Sequence, residues 1–246
     1  MATQVFRRTE IKYIITENQF KKLMDMIEPY LEKDKYFKGT NMSIYYDDEN
    51  RYLAIHSLEK PLYKEKIRLR SYGVPTLNDT VFLEIKKKFK GVGSKRRIPV
   101  KLKDFYSYEK TGELETNNEN IKQELDECFD RYKLKPTMFL AYDRTSYCDK
   151  DDPTFRVTFD RNVRSRNDDL RLERGDQGTK FFNNNEIVME VKSVRAYPFY
   201  FVRALSKLKI YPASFSKYGR VTEKVIYQNH APSRKSRSEL RENVVK

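Results

Sequence analysis

Apolar and polar residues alternate along much of the chain, and this period of two predicts β-strands. Gly73, Pro75, Gly91 and other turn-forming residues separate the closely spaced segments. Mostly short links favour antiparallel pairing of strands over βαβ units. We predict strands at residues 5–15, 41–47, 62–71, 80–88, 94–101, 137–148, 154–160 and 186–194, and residues 170–172 could add a short one.

Apolar residues at helical spacing predict helices between and after these strands. The first helix opens at Thr16, where Thr16 and Gln19 match a capping box ahead of an apolar stripe that includes Leu23 and Ile27. Ser216 could cap the last helix. The other predicted helices cover residues 50–59, 118–132 and 200–208, and the last one runs through Tyr227. The pattern predicts an α+β domain over residues 1–228 and a basic, disordered tail over residues 229–246.

Side chains at positions i and i+2 of a strand point to the same face, so each strand can be divided into two rows. In the third predicted strand, Lys64, Lys66, Arg68 and Arg70 share one face, and Ile67 lies on the other. The same division recurs in most other strands. Their polar rows are Glu10 with Lys12; Glu84, Lys86 and Lys88; Lys95 and Arg97; Tyr142, Arg144 and Ser146; Arg156, Thr158 and Asp160; and Glu190 with Lys192.

For a single strand, a basic row usually means an ordinary solvated surface. The whole set differs from such a surface, because exposed sheet faces generally mix both signs of charge. Here Lys and Arg dominate, carboxylates occur singly, and arginine is suited to bidentate recognition of phosphate. A sheet curled with these rows inward would form a cationic tunnel with its apolar faces turned outward under helices. The rows therefore predict a pocket for a long polyanion.

Composition agrees with an anionic partner and excludes several other classes of protein. The 246 residues include 50 Lys and Arg against 36 Asp and Glu, a net charge of +14. Two cysteines and two histidines without ligand-like spacing argue against a zinc site. The sequence has neither a P-loop nor a G-x-G-x-x-G turn. It has no signal peptide and no run of about 20 apolar residues, so we expect a soluble, cytoplasmic protein without a transmembrane segment.

Single carboxylates within the basic rows are candidate ligands for a divalent cation that also contacts phosphate oxygens. Glu190 is the first candidate, followed by Glu84 and Glu10. Taken alone, a carboxylate in such a row is more often an ion-pair partner of its basic neighbours than a metal ligand.

Eight short segments, taken in order, resemble the VTC domain. This is the polyphosphate polymerase domain of the vacuolar transporter chaperone complex, here in a stand-alone bacterial form, and it belongs to the triphosphate tunnel metalloenzyme superfamily. The resemblance extends from about Phe6 to Tyr227. The segments are RTEIKY (8–13), KIRLR (66–70), EIK (84–86), KRR (95–97), YDR (142–144), RVTFD (156–160), EVK (190–192) and FSKY (215–218).

The resemblance implies an antiparallel eight-stranded β-barrel tunnel with surrounding helices. It also implies transfer of the ATP γ-phosphate to a growing polyphosphate chain or to orthophosphate, with release of ADP and with Mn²⁺ or Mg²⁺ held by Glu190. Two groups of site residues follow from the strand rows and the resemblance together. The catalytic group is Lys12, Arg68, Arg70, Lys86, Arg144 and Glu190; the phosphate-binding group is Lys95, Arg97, Tyr142, Arg156, Ser216 and Lys217.

Two positions depart from the family pattern. Arg8 replaces the first glutamate of the Glu-x-Glu-x-Lys motif of the hydrolases, which favours the polymerase branch. Ser214 replaces a lysine of the eukaryotic polymerases, which weakens part of the phosphate site.

Two other functions stay open on the sequence. The same tunnel could hydrolyse tripolyphosphate or nucleoside triphosphates, or the protein could bind polyphosphate or RNA without catalysis. The absence of a recognisable nucleic-acid motif makes RNA the less favoured partner. The sequence leaves the oligomeric state open.

Overall fold

The structure, a computed structural model, describes residues 9–181 and 185–229. The strands are β1 (Thr9–Thr16), β2 (Leu31–Asp47), β3 (Tyr63–Tyr72), β4 (Thr80–Phe89), β5 (Val92–Lys101), β6 (Lys135–Asp149), β7 (Arg156–Arg166), β8 (Thr179–Lys180) and β9 (Glu186–Ser193). The helices are α1 (Glu17–Ile27), α2 (Tyr52–Leu58), α3 (Leu102–Thr111), α4 (Glu119–Tyr132), α5 (Phe199–Lys207) and α6 (Lys217–Asn229). The predicted α+β class is confirmed.

The strands form one antiparallel sheet in the order β1-β9-β7-β6-β2-β3-β4-β5, with the short β8 beside β7. Within the described residues, no backbone pairing joins the edge strands β1 and β5, so the sheet is not the closed barrel of the sequence prediction. The sheet nevertheless curls into a deep trough. Lys12 of β1 lies close enough to Lys64 and Lys66 of β3 to lower the pKa of both lysines, although four strands separate β1 from β3.

The apolar faces of the strands turn outward and are covered by helices, as the sequence predicts. In one half of the sheet, Ile67 and Leu83 belong to a core that includes Phe105 of α3 and Leu125 of α4. In the other half, Val157, Phe159 and Met189 pack with Leu23 of α1 and Phe201 of α5. The alternation that buries these residues outside places the polar rows inside the trough.

Helix α6 covers one end of the trough. Ser216 caps it as predicted, because its Oγ accepts a hydrogen bond from the Gly219 amide at 3.1 Å. Tyr218 stacks on Tyr45 with 4.1 Å between ring centroids and donates a hydrogen bond to Asp47 at 3.0 Å. The trough is therefore plugged where β2 ends.

Five elements differ from the sequence prediction. Two of them are β7, which runs on to Arg166 instead of ending at residue 160, and β8, which was not predicted. Strand β2 begins at Leu31 instead of Asn41, because residues 31–33 and 38–40 pair with β6 through the backbone while lacking any apolar alternation. Helix α3, which buries Phe105 and Tyr108, was not predicted. Residues 170–172 form no strand; a 3₁₀ turn lies at Leu172–Arg174 instead.

Some predictions lie outside the described residues. These are the first part of the first strand, the position of Arg8 and the disorder of the tail beyond Asn229. The division of the chain into a domain and a tail stays a prediction. No helix in the described part of the chain is long and apolar enough to cross a membrane.

Candidate active site

The trough brings together every site residue predicted from the sequence. They come from seven strands and from the start of α6, and they lie on the inner face of the sheet. From β1 to α6, the residues are Lys12 (β1), Arg68 and Arg70 (β3), Lys86 (β4), Lys95 and Arg97 (β5), Tyr142 and Arg144 (β6), Arg156 (β7), Glu190 (β9), Ser216 and Lys217. Their roles remain predictions, since the structure establishes only where they lie.

Glu84 is the centre of one cluster of cations. Its Oε2 accepts two hydrogen bonds from the Arg68 guanidinium, at 2.8 and 2.6 Å. Arg70, Lys95 and Arg97 each place a nitrogen within 3.6–4.0 Å of the same carboxylate. Burial raises the pKa of Glu84, but the cations outweigh it and hold the pKa at about 2. One carboxylate therefore orients four cationic side chains.

Asp160 is the centre of a second cluster, next to the plugged end. Arg144 donates two hydrogen bonds to it, at 2.6 and 2.8 Å, and Lys217 lies 2.5 Å from its Oδ2. Tyr142 faces this pair, with the Lys217 ammonium 4.6 Å from its ring centroid. Burial raises the pKa of Tyr142, yet Arg70, Arg144 and Lys217 together bring it down to about 8. The net field at this point is therefore positive.

Glu190 lies in a third cluster with Lys192 at 2.5 Å and Lys12 at 4.0 Å. Despite burial, which raises the pKa of Glu190, these lysines hold the pKa far below its usual range. Glu10 contacts the same two lysines, at 3.4 Å from Lys12 and 3.6 Å from Lys192. Two carboxylates thus surround one pair of ammonium groups at the β1–β9 edge.

The described residues contain no group of three or more His, Cys, Asp or Glu side chains that could hold a metal by itself. Glu190, with Glu10 beside it, fits a divalent ion whose remaining ligands are phosphate oxygens and water, which is the usual binding of Mg²⁺. These carboxylate ligands therefore suit a divalent ion that binds together with a triphosphate.

Lys66 and Lys86 have no carboxylate close enough for an ion pair in the described part of the chain. Burial and the positive charges of Lys64, Lys12 and Lys86 lower the pKa of Lys66 to about 7. Lys86 is exposed as a residue, yet desolvation of its ammonium group and the nearby Arg68 lower its pKa to about 8. The trough thus holds more positive charge than its own carboxylates neutralise.

Three buried polar atoms of the trough have no hydrogen-bond partner among the described residues: Ser43 Oγ, Arg70 Nε and Glu84 Oε1. Ser43 lies opposite Arg70 on the neighbouring strand. Buried polar atoms of this kind are uncommon in native proteins, and oxygens of a bound ligand or water would satisfy the two donors among them.

Several inner residues were not among the predicted site residues. Ser43 and Tyr45 belong to β2, where the consecutive large side chains of residues 44–46 obscure the alternation. Tyr45 accepts a hydrogen bond from Arg68 at 3.3 Å. Lys66 was placed in the correct row but was not assigned a role. Asp34 accepts hydrogen bonds from Arg156 and, at 3.0 Å, from Ser146. No sequence pattern could reveal Asp34, because it lies in the polar, irregularly paired half of β2.

The model of one protein family, the VTC domain, matches residues 7–226. Among solved structures, a proposed adenylate cyclase from Bacillus halodurans has 10% sequence identity and a TM-score of 0.50; the match covers 84% of this chain and 92% of that one. A proposed adenylyl cyclase from Hippeastrum, with a dominant triphosphatase activity, has 12% identity, a TM-score of 0.49 and coverage of 87% and 95%. No curated protein sequence matches. The Bacillus halodurans structure is similar in fold.

Proposed function

Since this chain belongs to the VTC domain family, we propose that it is a polyphosphate polymerase. It transfers the γ-phosphate of ATP to the end of a growing polyphosphate chain, or to orthophosphate at the start, and releases ADP. The observation that carries this proposal is the surplus of cations in the trough, above all Lys66 and Lys86, whose pKa values fall to about 7 and 8. A group of like charges this close is costly unless an anion neutralises it.

The shape of the cationic surface favours a linear polyanion over a compact one. Inner-facing residues of one strand are about 6.6 Å apart, and the β3 row continues from Lys64 through Lys66 and Arg68 to Arg70. Arg144 and Lys217 face this row from β6 and α6. A polyphosphate chain that lies along this row would contact a further cation about every 6.6 Å.

Positioning and neutralisation of charge account for the catalysis that these side chains can supply. Arg68, Arg70 and Arg144 would hold the phosphates in line through bidentate hydrogen bonds. Lys66 and Lys86 would neutralise charge that develops on the transferred group. A divalent ion held by Glu190 would supply Lewis-acid stabilisation when bound.

The chemistry of the carboxylates favours transfer over hydrolysis. Attack by water calls for a base, but Glu84, Glu190 and Asp160 are all paired with cations that depress their pKa values. A terminal phosphate oxygen is already ionised and needs no base. Polyphosphate or orthophosphate is therefore the better acceptor in this trough.

Product analysis with labelled ATP tests the proposal. Purified protein is incubated with γ-³²P-ATP and, in parallel, α-³²P-ATP, together with Mg²⁺ or Mn²⁺. We expect the γ-label in long chains on a gel and the α-label in ADP. Labelled orthophosphate without chains would instead identify a triphosphatase. Salt-sensitive RNA or polyphosphate binding without any turnover would identify a non-enzymatic binding protein.

A further inference from the structure

Two aromatic rings lie on the inner face at the end of the trough that α6 leaves uncovered. Tyr72 is the last residue of β3, and Phe82 faces it from β4 with 5.8 Å between ring centroids and an angle of 69° between ring planes. Tyr72 pairs with Asn41 of β2, whereas α6 covers Asp47 of the same strand, about 20 Å away at about 3.3 Å per residue. Lys66, nearer the start of β3, contacts Ser216 and the Tyr218 ring, so Tyr72 lies at the end of the β3 row that is farther from Tyr218.

Both rings continue the rows that carry the phosphate-binding cations. Tyr72 follows Arg70 in the inner row of β3, and Phe82 precedes Glu84 in the inner row of β4. Arg97 lies 4.4 Å from the Phe82 ring centroid, and Arg70 lies 6.0 Å from that of Tyr72. Tyr72 thus lies one step of about 6.6 Å along β3 from Arg70, and Phe82 lies one such step along β4 from Glu84.

Tyr72 is 60% exposed, whereas the other inner tyrosines, Tyr45 and Tyr142, are buried and accept hydrogen bonds from Arg68 and Arg70. A phosphate chain gains little from an aromatic ring, whereas a nucleobase stacks on one, and neighbouring guanidinium groups add cation–π attraction. The rings are therefore out of place in a site for phosphate alone.

We infer that Tyr72 and Phe82 form the binding surface for the nucleobase of the nucleoside triphosphate. The base stacks on Tyr72 at the mouth, the first phosphates reach Arg70 and Arg97, and the terminal phosphate points inward to Lys66 and Lys86. This inference rests on the proposed use of ATP, and it gives the donor a direction: the nucleoside stays at the mouth. Because stacking tolerates any base, adenine and guanine nucleotides should bind with similar affinity.

Metal-free calorimetry with ATP and with tripolyphosphate separates the base from the phosphates without turnover. We expect Tyr72→Ala and Phe82→Ala to weaken ATP binding about tenfold, the lower part of the range for base stacking, and to change tripolyphosphate binding less than about twofold. Tyr72→Phe, which keeps the ring, should bind ATP like the unmodified protein. Phe199→Ala removes an even more exposed ring from α5, outside the trough, and should affect neither ligand.

The possible results distinguish this inference from the proposed function. Equal weakening of both ligands in Tyr72→Ala, or no effect on either, would overturn the nucleobase site while leaving the triphosphate site in place. An unmodified protein that binds neither ligand would overturn both. Thermal unfolding of Tyr72→Ala should match that of the unmodified protein, because the ring is exposed.

Discussion

Replacing Lys66 with methionine should stabilise the folded protein and weaken its binding of tripolyphosphate. Burial and neighbouring lysines lower the pKa of Lys66 to about 7, against 10.5 for an unperturbed lysine. The lysine thus destabilises the fold. This destabilisation is complete below pH 7. It diminishes as the pH rises toward the pKa that Lys66 has in the unfolded chain, because the unfolded chain binds one more proton than the folded protein over that interval. The Lys66→Met variant should gain stability on the order of a few kcal/mol below pH 7.

One smaller effect opposes this gain in stability. The lost hydrogen bond from Lys66 to Ser216 Oγ, at 3.2 Å, offsets about 1 kcal/mol of the gain. Thermal unfolding at pH 6 and pH 9 measures the remainder, and the difference between the variant and the unmodified protein should be larger at pH 6. Calorimetry at pH 6 should show tripolyphosphate binding weakened about tenfold, since one charge-assisted contact is lost.

Lys87→Met is the matched control, because Lys87 lies on the outer face of β4. Its ammonium contacts Glu124 at 2.6 Å and the buried Glu65 at 3.6 Å. This variant should lower the melting temperature and leave tripolyphosphate binding unchanged. Two results would refute the assignment of Lys66 to the anion-binding face and of Lys87 to the outer face. One is a Lys66→Met variant that melts at a lower temperature than the unmodified protein. The other is a Lys87→Met variant that binds tripolyphosphate as weakly as Lys66→Met.

Glu190→Gln should reduce metal-dependent turnover at least about 100-fold while it preserves or tightens metal-free binding of tripolyphosphate. The amide keeps the shape of the side chain but removes the carboxylate proposed to hold the ion. It also removes a negative charge from a face that binds a polyanion. Lys12 and Lys192 then lose a partner, so a modest drop in melting temperature should accompany the change.

Glu10→Gln provides the comparison for Glu190→Gln, since Glu10 contacts the same two lysines and is more exposed. Turnover should fall much less in this variant. Turnover rates of the two variants at several Mn²⁺ concentrations distinguish the two positions. Equal losses of turnover would show that the effect comes from the lysine pair rather than from a metal ligand at Glu190.

The sequence could predict the basic face of the trough because the period of two in a strand decides which side chains share a face. Once KEKIRLR was assigned to a strand, Arg68 and Arg70 had to share a face, and the apolar Ile67 and Leu69 had to face a core. The capping patterns at Thr16 and Ser216 are equally local, and both are present.

The features that the sequence could not predict depend on contacts between distant parts of the chain. The low pKa of Lys66 depends on its burial and on Lys12 and Lys86, which β1 and β4 bring beside it. The plug depends on the stacking of Tyr218 on Tyr45, and Asp34 reaches Arg156 through an irregular pairing of β2. Whether β1 and β5 pair is decided by the curvature of the whole sheet, which no single strand encodes.

A crystal structure with tripolyphosphate and Mn²⁺ tests the central claim most directly, because it locates the polyanion. We predict phosphate density along the inner face between Arg68, Arg70 and Arg144, with an anomalous manganese peak beside Glu190. Phosphate bound only on the outer surface, or a trough that stays free of phosphate at saturating tripolyphosphate, would contradict the account.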